Sequence, residues 1–199
     1  MKITIFDYGA GNLHSLAKAL ESPGHTVRFD TDLRGALDTE LLVLPGVGAF
    51  AAAAARMTGG LDETRAAVRS GLPCLGICLG MQLLFDDSDE GPGAGLGVIA
   101  GRVTRLRAAQ VPQIGWNTLE ETSDPAFTRA ALHTAYFANS FVCRPVDPSC
   151  VVAWSTHESD RFPAAVRVGN TLGVQFHPEK SSAPGVAFIQ QFLNSVLPG

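Results

Sequence analysis

Gly71-Leu72-Pro73-Cys74-Leu75-Gly76-Ile77-Cys78-Leu79-Gly80-Met81-Gln82-Leu83-Leu84-Phe85 is the stretch from which the rest of the chain is read. Its first part, Pro73 to Ile77, is a short apolar run behind Gly71, the pattern of a strand buried on both faces of a parallel sheet. Its last part places Met81, Leu84 and Phe85 at helical spacing. Between them Gly76-Ile77-Cys78-Leu79-Gly80 has the spacing of a nucleophile elbow with cysteine in the place of serine. Two glycines permit a sharp strand-to-helix turn that exposes one side chain above the sheet. A thiol held there faces a helix N-terminus, whose unpaired N–H groups and positive dipole end favour the thiolate. Taken alone, the pentapeptide also fits a buried structural cysteine beside a tight turn.

Toward the N-terminus the same strand-then-helix grammar repeats. Lys2 to Asp7 is an apolar, β-branched run; Leu13, Leu16, Ala17 and Leu20 follow at i, i+3, i+4, i+7 until Pro23-Gly24 stops them. His25 to Asp30 is a second strand, so the opening is βαβ and calls for a parallel sheet. Leu41 to Leu44 is a third buried strand, and Leu61 to Ser70 a helix with Asp62 and Glu63 in its first turn and Gly71 at its end. The fold class is α/β: an open, mostly parallel sheet flanked by helices.

Two Gly-rich turns at the carboxyl edge of that sheet carry more than one reading. Gly9-Ala10-Gly11-Asn12-Leu13-His14 begins like a dinucleotide-binding fingerprint with Asp30 at the position of a ribose-binding acid. His14, however, stands where close helix packing needs Gly or Ala. A plain tight turn and a partner contact are the alternatives. Pro45-Gly46-Val47-Gly48-Ala49-Phe50 follows the third strand; its glycines let backbone N–H groups approach a ligand, as an oxyanion hole requires, or simply make a strand-to-helix turn.

Beyond the elbow, Asp86 to Gly97 is acidic and Gly-rich and reads as an exposed loop. Val98 to Leu106, Gly115 to Glu120, Tyr136 to Cys143, Cys150 to Ser155 and Ala164 to Val168 are short alternating segments, read as a smaller, largely antiparallel sheet. Leu172 to Phe176 is again a buried strand, and Val186, Ile189, Leu193 and Val196 mark a final amphipathic helix. The last strand runs into Gln175-Phe176-His177-Pro178-Glu179-Lys180-Ser181. In extended backbone His177 and Glu179 share a face, and Pro178 favours that conformation for His177. A carboxylate then orients the imidazole, whose free nitrogen serves a nucleophile. Cys78 is the nucleophile at hand, and all three motifs fall at one edge of one sheet, where open α/β sheets bind ligands.

The chain of 199 residues, 46% hydrophobic and 17% charged, is read as one domain over residues 1–199. No apolar run reaches the length of a membrane span, and Lys2 to Phe6 is too short for a signal peptide core, so the expected compartment is the cytoplasm. A net charge of -4 without a basic block argues against nucleic acid and membrane as partners. Cys74, Cys78, Cys143 and Cys150 match neither a zinc site nor a disulfide framework.

The elbow through Gln82, together with Gln175 to Ser181, resembles the class I (triad) glutamine amidotransferases. Asp7 to Leu13, Pro45 to Phe50, Gly95 to Val103, Ile114-Gly115-Trp116-Asn117 and Tyr136 to Phe141 narrow the resemblance to the glutaminase subunits of imidazole glycerol phosphate synthase, in histidine biosynthesis. It covers the chain end to end; Met81 stands where other members of the wider family usually carry His. The resemblance implies a flavodoxin-like fold and hydrolysis of L-glutamine to L-glutamate and ammonia by Cys78, His177 and Glu179. It implies an oxyanion held by the N–H of Leu79 and one from Val47 or Gly48, with Gly46, Gln82, Tyr136 and Ser140 contacting glutamine. It further implies a (β/α)8-barrel cyclase partner in a heterodimer, with Asn12, Trp116 and Lys180 at the interface, and no cofactor or metal. Asn139 and Gln113 depart from the family, which usually has His at the first and often at the second. Three rivals stay open: an ammonia donor of another pathway, such as vitamin B6 synthesis, a non-catalytic subunit of the same fold, and a thiol peptidase or redox protein.

Overall fold

A computed structural model of the chain describes residues 1–9 and 13–196. In chain order the first half contains β1 (Lys2–Phe6), α1 (His14–Leu20), β2 (Thr26–Asp30), β3 (Leu41–Leu44), α2 (Phe50–Met57), α3 (Leu61–Arg69), β4 (Cys74–Ile77), α4 (Leu79–Gln82) and β5 (Asp87–Ser88). The second half adds β6 (Gly101–Arg105), β7 (Gln113–Thr118), α5 (Pro125–Ala130), β8 (Thr134–Asn139), β9 (Phe141–Pro145), β10 (Val151–His157), β11 (Asp160–Val168), β12 (Thr171–Val174) and α6 (Ser182–Val196).

The main sheet has seven strands in the order β10-β11-β12-β4-β3-β1-β2. From β12 to β2 all neighbours are parallel, while β11 and β10 extend the β12 side antiparallel. The period of two decides which core each side chain enters. Ile3, Ile5, Leu41, Val43, Leu75 and Ile77 join one apolar layer with residues of α1, α5 and α6. Phe6, Leu42, Leu44 and Cys74 join the other, with α2 and the elbow segment. Both faces are therefore covered, as a parallel sheet requires.

The region read as one smaller antiparallel sheet is divided among three. β6 pairs antiparallel with β9 and parallel with β5; β7 and β8 form a separate antiparallel ribbon; β10 and β11 join the main sheet. Tyr136 to Cys143 is not one strand: it breaks at Ser140, and its halves pair in different sheets. The elbow helix is also shorter than the spacing of Met81, Leu84 and Phe85 suggests. The carbonyls of Leu83, Leu84 and Phe85 accept from Leu96, from Val98 and Ile99, and from Gly97, so the loop after the elbow takes the acceptors that another helical turn would need. Ala10, Gly11 and Asn12 of the first Gly-rich turn lie outside the described residues.

Candidate active site

The three central strands β12, β4 and β3 end at the same edge, each delivering one part of the site. β4 ends at Ile77 and presents Cys78, β3 on one side leads into Pro45 to Ala49, and β12 on the other leads to His177.

Cys78 has φ 48° and ψ -104°, a sparsely populated conformation for a residue with a side chain. The surroundings hold it there: its N–H donates to Val174 O at 2.6 Å, and its carbonyl accepts from Gln82 N at 3.2 Å. The elbow is seated on β3 at Gly80, where a Cβ would lie 1.9 Å from the Leu44 carbonyl oxygen. Only glycine lets these two backbones approach so closely.

His177 is buried, with Nδ1 2.8 Å from Glu179 Oε1. The shared face expected of an extended segment is not how they meet. Pro178–Lys180 forms a 3-10 turn directly after His177, and the turn swings Glu179 back onto the ring. The loop is fixed from behind: His177 N donates to Tyr136 O at 2.8 Å, and the Ser181 hydroxyl donates to His177 O while accepting from Tyr136 N. Burial works against a charged imidazole, but hydrogen bonds and charge from Cys78 and Glu179 outweigh it and raise the His177 pKa from 6.5 to about 9. A protonated His177 therefore persists through neutral pH.

Gly46 sits between Cys78 and His177. A Cβ there would lie 2.9 Å from His177 Cε1 and 3.1 Å from Cys78 Cβ. Tyr8 hydroxyl donates to Pro45 O at the root of this loop; burial, then the charges of Cys78 and Asp7, push its phenol pKa up. The N–H groups of Val47, Gly48 and Leu79 have no acceptor among the described residues. Gly46, Val47, Gly48, Cys78, Leu79 and His177 line a cleft of about 320 Å³, in the size range of small-molecule sites.

Residues 4–196 match the family model described as glutamine amidotransferase class-I. The chain belongs to this family. A relative from Gloeothece citriformis (strain PCC 7424), named imidazole glycerol phosphate synthase subunit HisH, is 41% identical over 98% of this chain and 96% of its own. One of the same name from Thermus thermophilus is 43% identical over 95% of each. Among solved structures, PurLQS from Thermotoga maritima shares the fold with TM-score 0.76 at 22% identity, covering 98% of this chain and 99% of that one.

Within this amidotransferase framework the expected residues divide. Gly46, Val47, Gly48, Cys78, Leu79, Gln82, Ser140, His177 and Lys180 all line the cleft. Glu179 stands behind His177. Tyr136 is not in the lining; it supplies its backbone to the His177 loop, and its ring meets Trp116 edge-on with centroids 6.4 Å apart. Trp116 is 55% exposed on the β7 ribbon, away from the cleft lining. Asn12 lies outside the described residues. Asn139 and Gln113, the two departures, are direct cross-strand partners in β7 and β8, both buried, each with a side-chain oxygen lacking a protein partner. They form one feature rather than two.

Sequence reasoning missed Glu90 and Gln175. Glu90 lines the cleft from the loop read as merely exposed, anchored by Phe50 N donating to its Oε2 at 2.9 Å; no spacing signal marks it. Gln175 lies two residues before His177, so the alternation of an extended segment already places both on one side. Among the described residues there is no cluster of three or more His, Cys, Asp or Glu side chains suited to a metal, and no helix long and apolar enough to cross a membrane.

Proposed function

We propose that the chain hydrolyses L-glutamine to L-glutamate and ammonia and passes the ammonia to a cyclase subunit of imidazole glycerol phosphate synthase, as a single glutaminase domain over residues 1–199. The observation that carries this reading is Cys78, strained onto the edge of β4 beside the charged His177–Glu179 pair, in a chain about 40% identical to proteins named for that synthase.

The Cys78 thiolate attacks the side-chain carboxamide carbon of glutamine, forming an S–C bond and moving the carbonyl electron pair to oxygen. Leu79 N–H and an N–H from Val47 or Gly48 hold that oxyanion. As the carbonyl re-forms, the C–N bond breaks and His177 gives its proton to the departing ammonia. Neutral His177 then takes a proton from water, which attacks the thioester; the C–S bond breaks, and glutamate leaves with the thiolate restored. Glu179 holds the ring so that one nitrogen faces the reaction throughout.

The cleft lining complements the rest of the substrate. Glu90 is the only carboxylate among the described residues that line it, and with Oε2 committed to Phe50 its Oε1 is available to the α-amino group. Gln82 donates both hydrogens inward, to Phe141 O and Gln175 Oε1, so it offers the ligand only its own oxygen, an acceptor for the amide N–H. Gly46 and Ser140 complete the contacts. Outside the cleft, Ile114 and Trp116 expose 67% and 55% of their surface on the same side of β7, an apolar face that suits the barrel partner, with Lys180 at the cleft. The complex is a heterodimer in the cytoplasm that uses ammonia to form imidazole glycerol phosphate and an aminoimidazole carboxamide ribotide.

The test is glutamate release by the purified chain, alone and with the cyclase subunit plus its nucleotide ligand, with Cys78→Ala as control. Activity that rises with partner and ligand and vanishes in the variant supports the assignment. Activity indifferent to the partner moves the chain to another amidotransferase pathway; activity that survives the variant removes Cys78 from the chemistry.

A further inference from the structure

One buried polar group beside Cys78, the Gln175 carboxamide, takes no part in these steps. Gln175 is fully buried beneath the site, and its Nε2 lies 3.5 Å from Cys78 Sγ. A buried carboxamide must satisfy both its ends, and which end faces the sulfur decides whether it favours thiol or thiolate.

The surrounding hydrogen bonds fix that orientation. The Phe141 backbone carbonyl can only accept, so the Gln82 atom 3.2 Å from it is the amide nitrogen. The same nitrogen lies 3.3 Å from Gln175, so the Gln175 atom there is the oxygen. The remaining end of Gln175, turned to Cys78, is therefore –NH2. The direction propagates from a backbone group that cannot turn over, through two buried side chains, to the sulfur. Reversing it would place two oxygens against each other.

On the reading that Cys78 is the nucleophile, the geometry points to Gln175 as a positioning residue for the Cys78 thiolate, an uncharged N–H donor whose orientation is set by Gln82 and the Phe141 carbonyl. A thiolate gains from a donor at 3.5 Å; a thiol needs none, because its hydrogen can turn toward Ala138 O, 3.9 Å away. The role differs from that of His177. The imidazole gives its proton away during the first half of the reaction, whereas the Gln175 N–H stays. It holds the sulfur before attack and again when the thioester expels it. The other titratable groups that feel the Cys78 charge are His177, Tyr8 and Cys143, each from a different element. Of these only His177 hydrogen-bonds Cys78, and it can lose the proton it would donate to the sulfur; the carboxamide cannot.

The test follows alkylation of Cys78 by iodoacetamide between pH 5 and 10, which needs neither glutamine nor a partner, with Cys78→Ala to subtract the other cysteines. Gln175→Met keeps the volume and removes the donor; Gln175→Glu keeps the shape and replaces the donor with a carboxylate. We expect the Gln175→Met curve to move up by about one pH unit, roughly tenfold slower labelling below the plateau with the plateau itself unchanged. Gln175→Glu should move further, and Gln82→Met in the same direction by less, since it only frees Gln175 to turn. Thermal unfolding identifies the folded variants; Gln175→Glu alone decides the matter if the methionine variant does not fold. A wild-type chain whose Cys78 labels normally, with superimposable variant curves, overturns the role of Gln175 only. A wild-type Cys78 that does not label at all overturns the nucleophile and this role together.

Discussion

The elbow and the β7–β8 ribbon use glycine for opposite reasons. At the elbow Gly80 has no room: a Cβ would lie 1.9 Å from a backbone oxygen, and every neighbour is buried. In the ribbon Gly115 has nothing within 4 Å of such a Cβ but sits at φ +131°, between Ile114 and Trp116, which stand out into solvent. One region is specified by contact, the other by chain direction. The difference matches their proposed duties: the elbow must hold a strained nucleophile to a fraction of an ångström, while the ribbon must offer an apolar face that something else completes.

The largest effect is therefore expected from Gly80→Ala. Backbone oxygen cannot move aside as a side-chain tip can, so the variant should lose more than about 4 kcal/mol and fail to give a cooperative unfolding transition, read by circular dichroism. A normal melt would show that the elbow is looser than its contacts imply. Gly46→Ala is the next step down, because its Cβ meets His177 Cε1 at 2.9 Å, the Ile77 carbonyl oxygen at 3.0 Å and Cys78 Cβ at 3.1 Å, all far looser than the 1.9 Å contact at Gly80, and the nearest belongs to a ring that can shift. The chain should fold and lose roughly a hundredfold in kcat, the usual consequence of misplacing reacting groups by about an ångström.

On the ribbon the expectation reverses. Trp116→Ala should change stability by less than about 0.5 kcal/mol, since the side chain is 55% exposed, yet weaken binding of the cyclase subunit by about thirtyfold, as an aromatic anchor would. A destabilised chain with unchanged partner affinity would erase the contrast between the two regions.

The smallest effect is a pH dependence confined to the elbow side. Deprotonation of His177 removes the acid that ammonia departure needs, so the partner-stimulated rate should fall by tenfold per pH unit above about 9. The folded pKa is raised from 6.5, so the stabilisation this group contributes is complete below 6.5 and is lost as pH rises through about 9. A rate that stays level to pH 10 would place the proton elsewhere.

The same contrast explains what the sequence disclosed. The parallel strands were legible because burial on both faces writes continuous apolar runs, as in Leu41 to Leu44, and the elbow was legible because Gly76 and Gly80 flank Cys78 at a spacing few other turns need. The pairing of His177 with Glu179 was also legible, but for an incomplete reason: alternation predicts a shared face, whereas a 3-10 turn brings the carboxylate round. Sheet membership was not legible. Val151–His157 and Asp160–Val168 alternate like any antiparallel hairpin, and nothing local states that Val168 will lie opposite Thr171 on the main sheet. Glu90 was invisible because its role comes from a loop folding over α2, a contact without a period.

The central claim is that one cysteine of four, the strained one, is the nucleophile for glutamine. The most direct measurement is covalent trapping with a diazoketone analogue of glutamine, with partner and nucleotide present, followed by peptide mapping. The account predicts one label per chain, carried by Cys78 and absent from Cys74, Cys143 and Cys150. A label on any other residue, or no label while glutamate is still released, would contradict it.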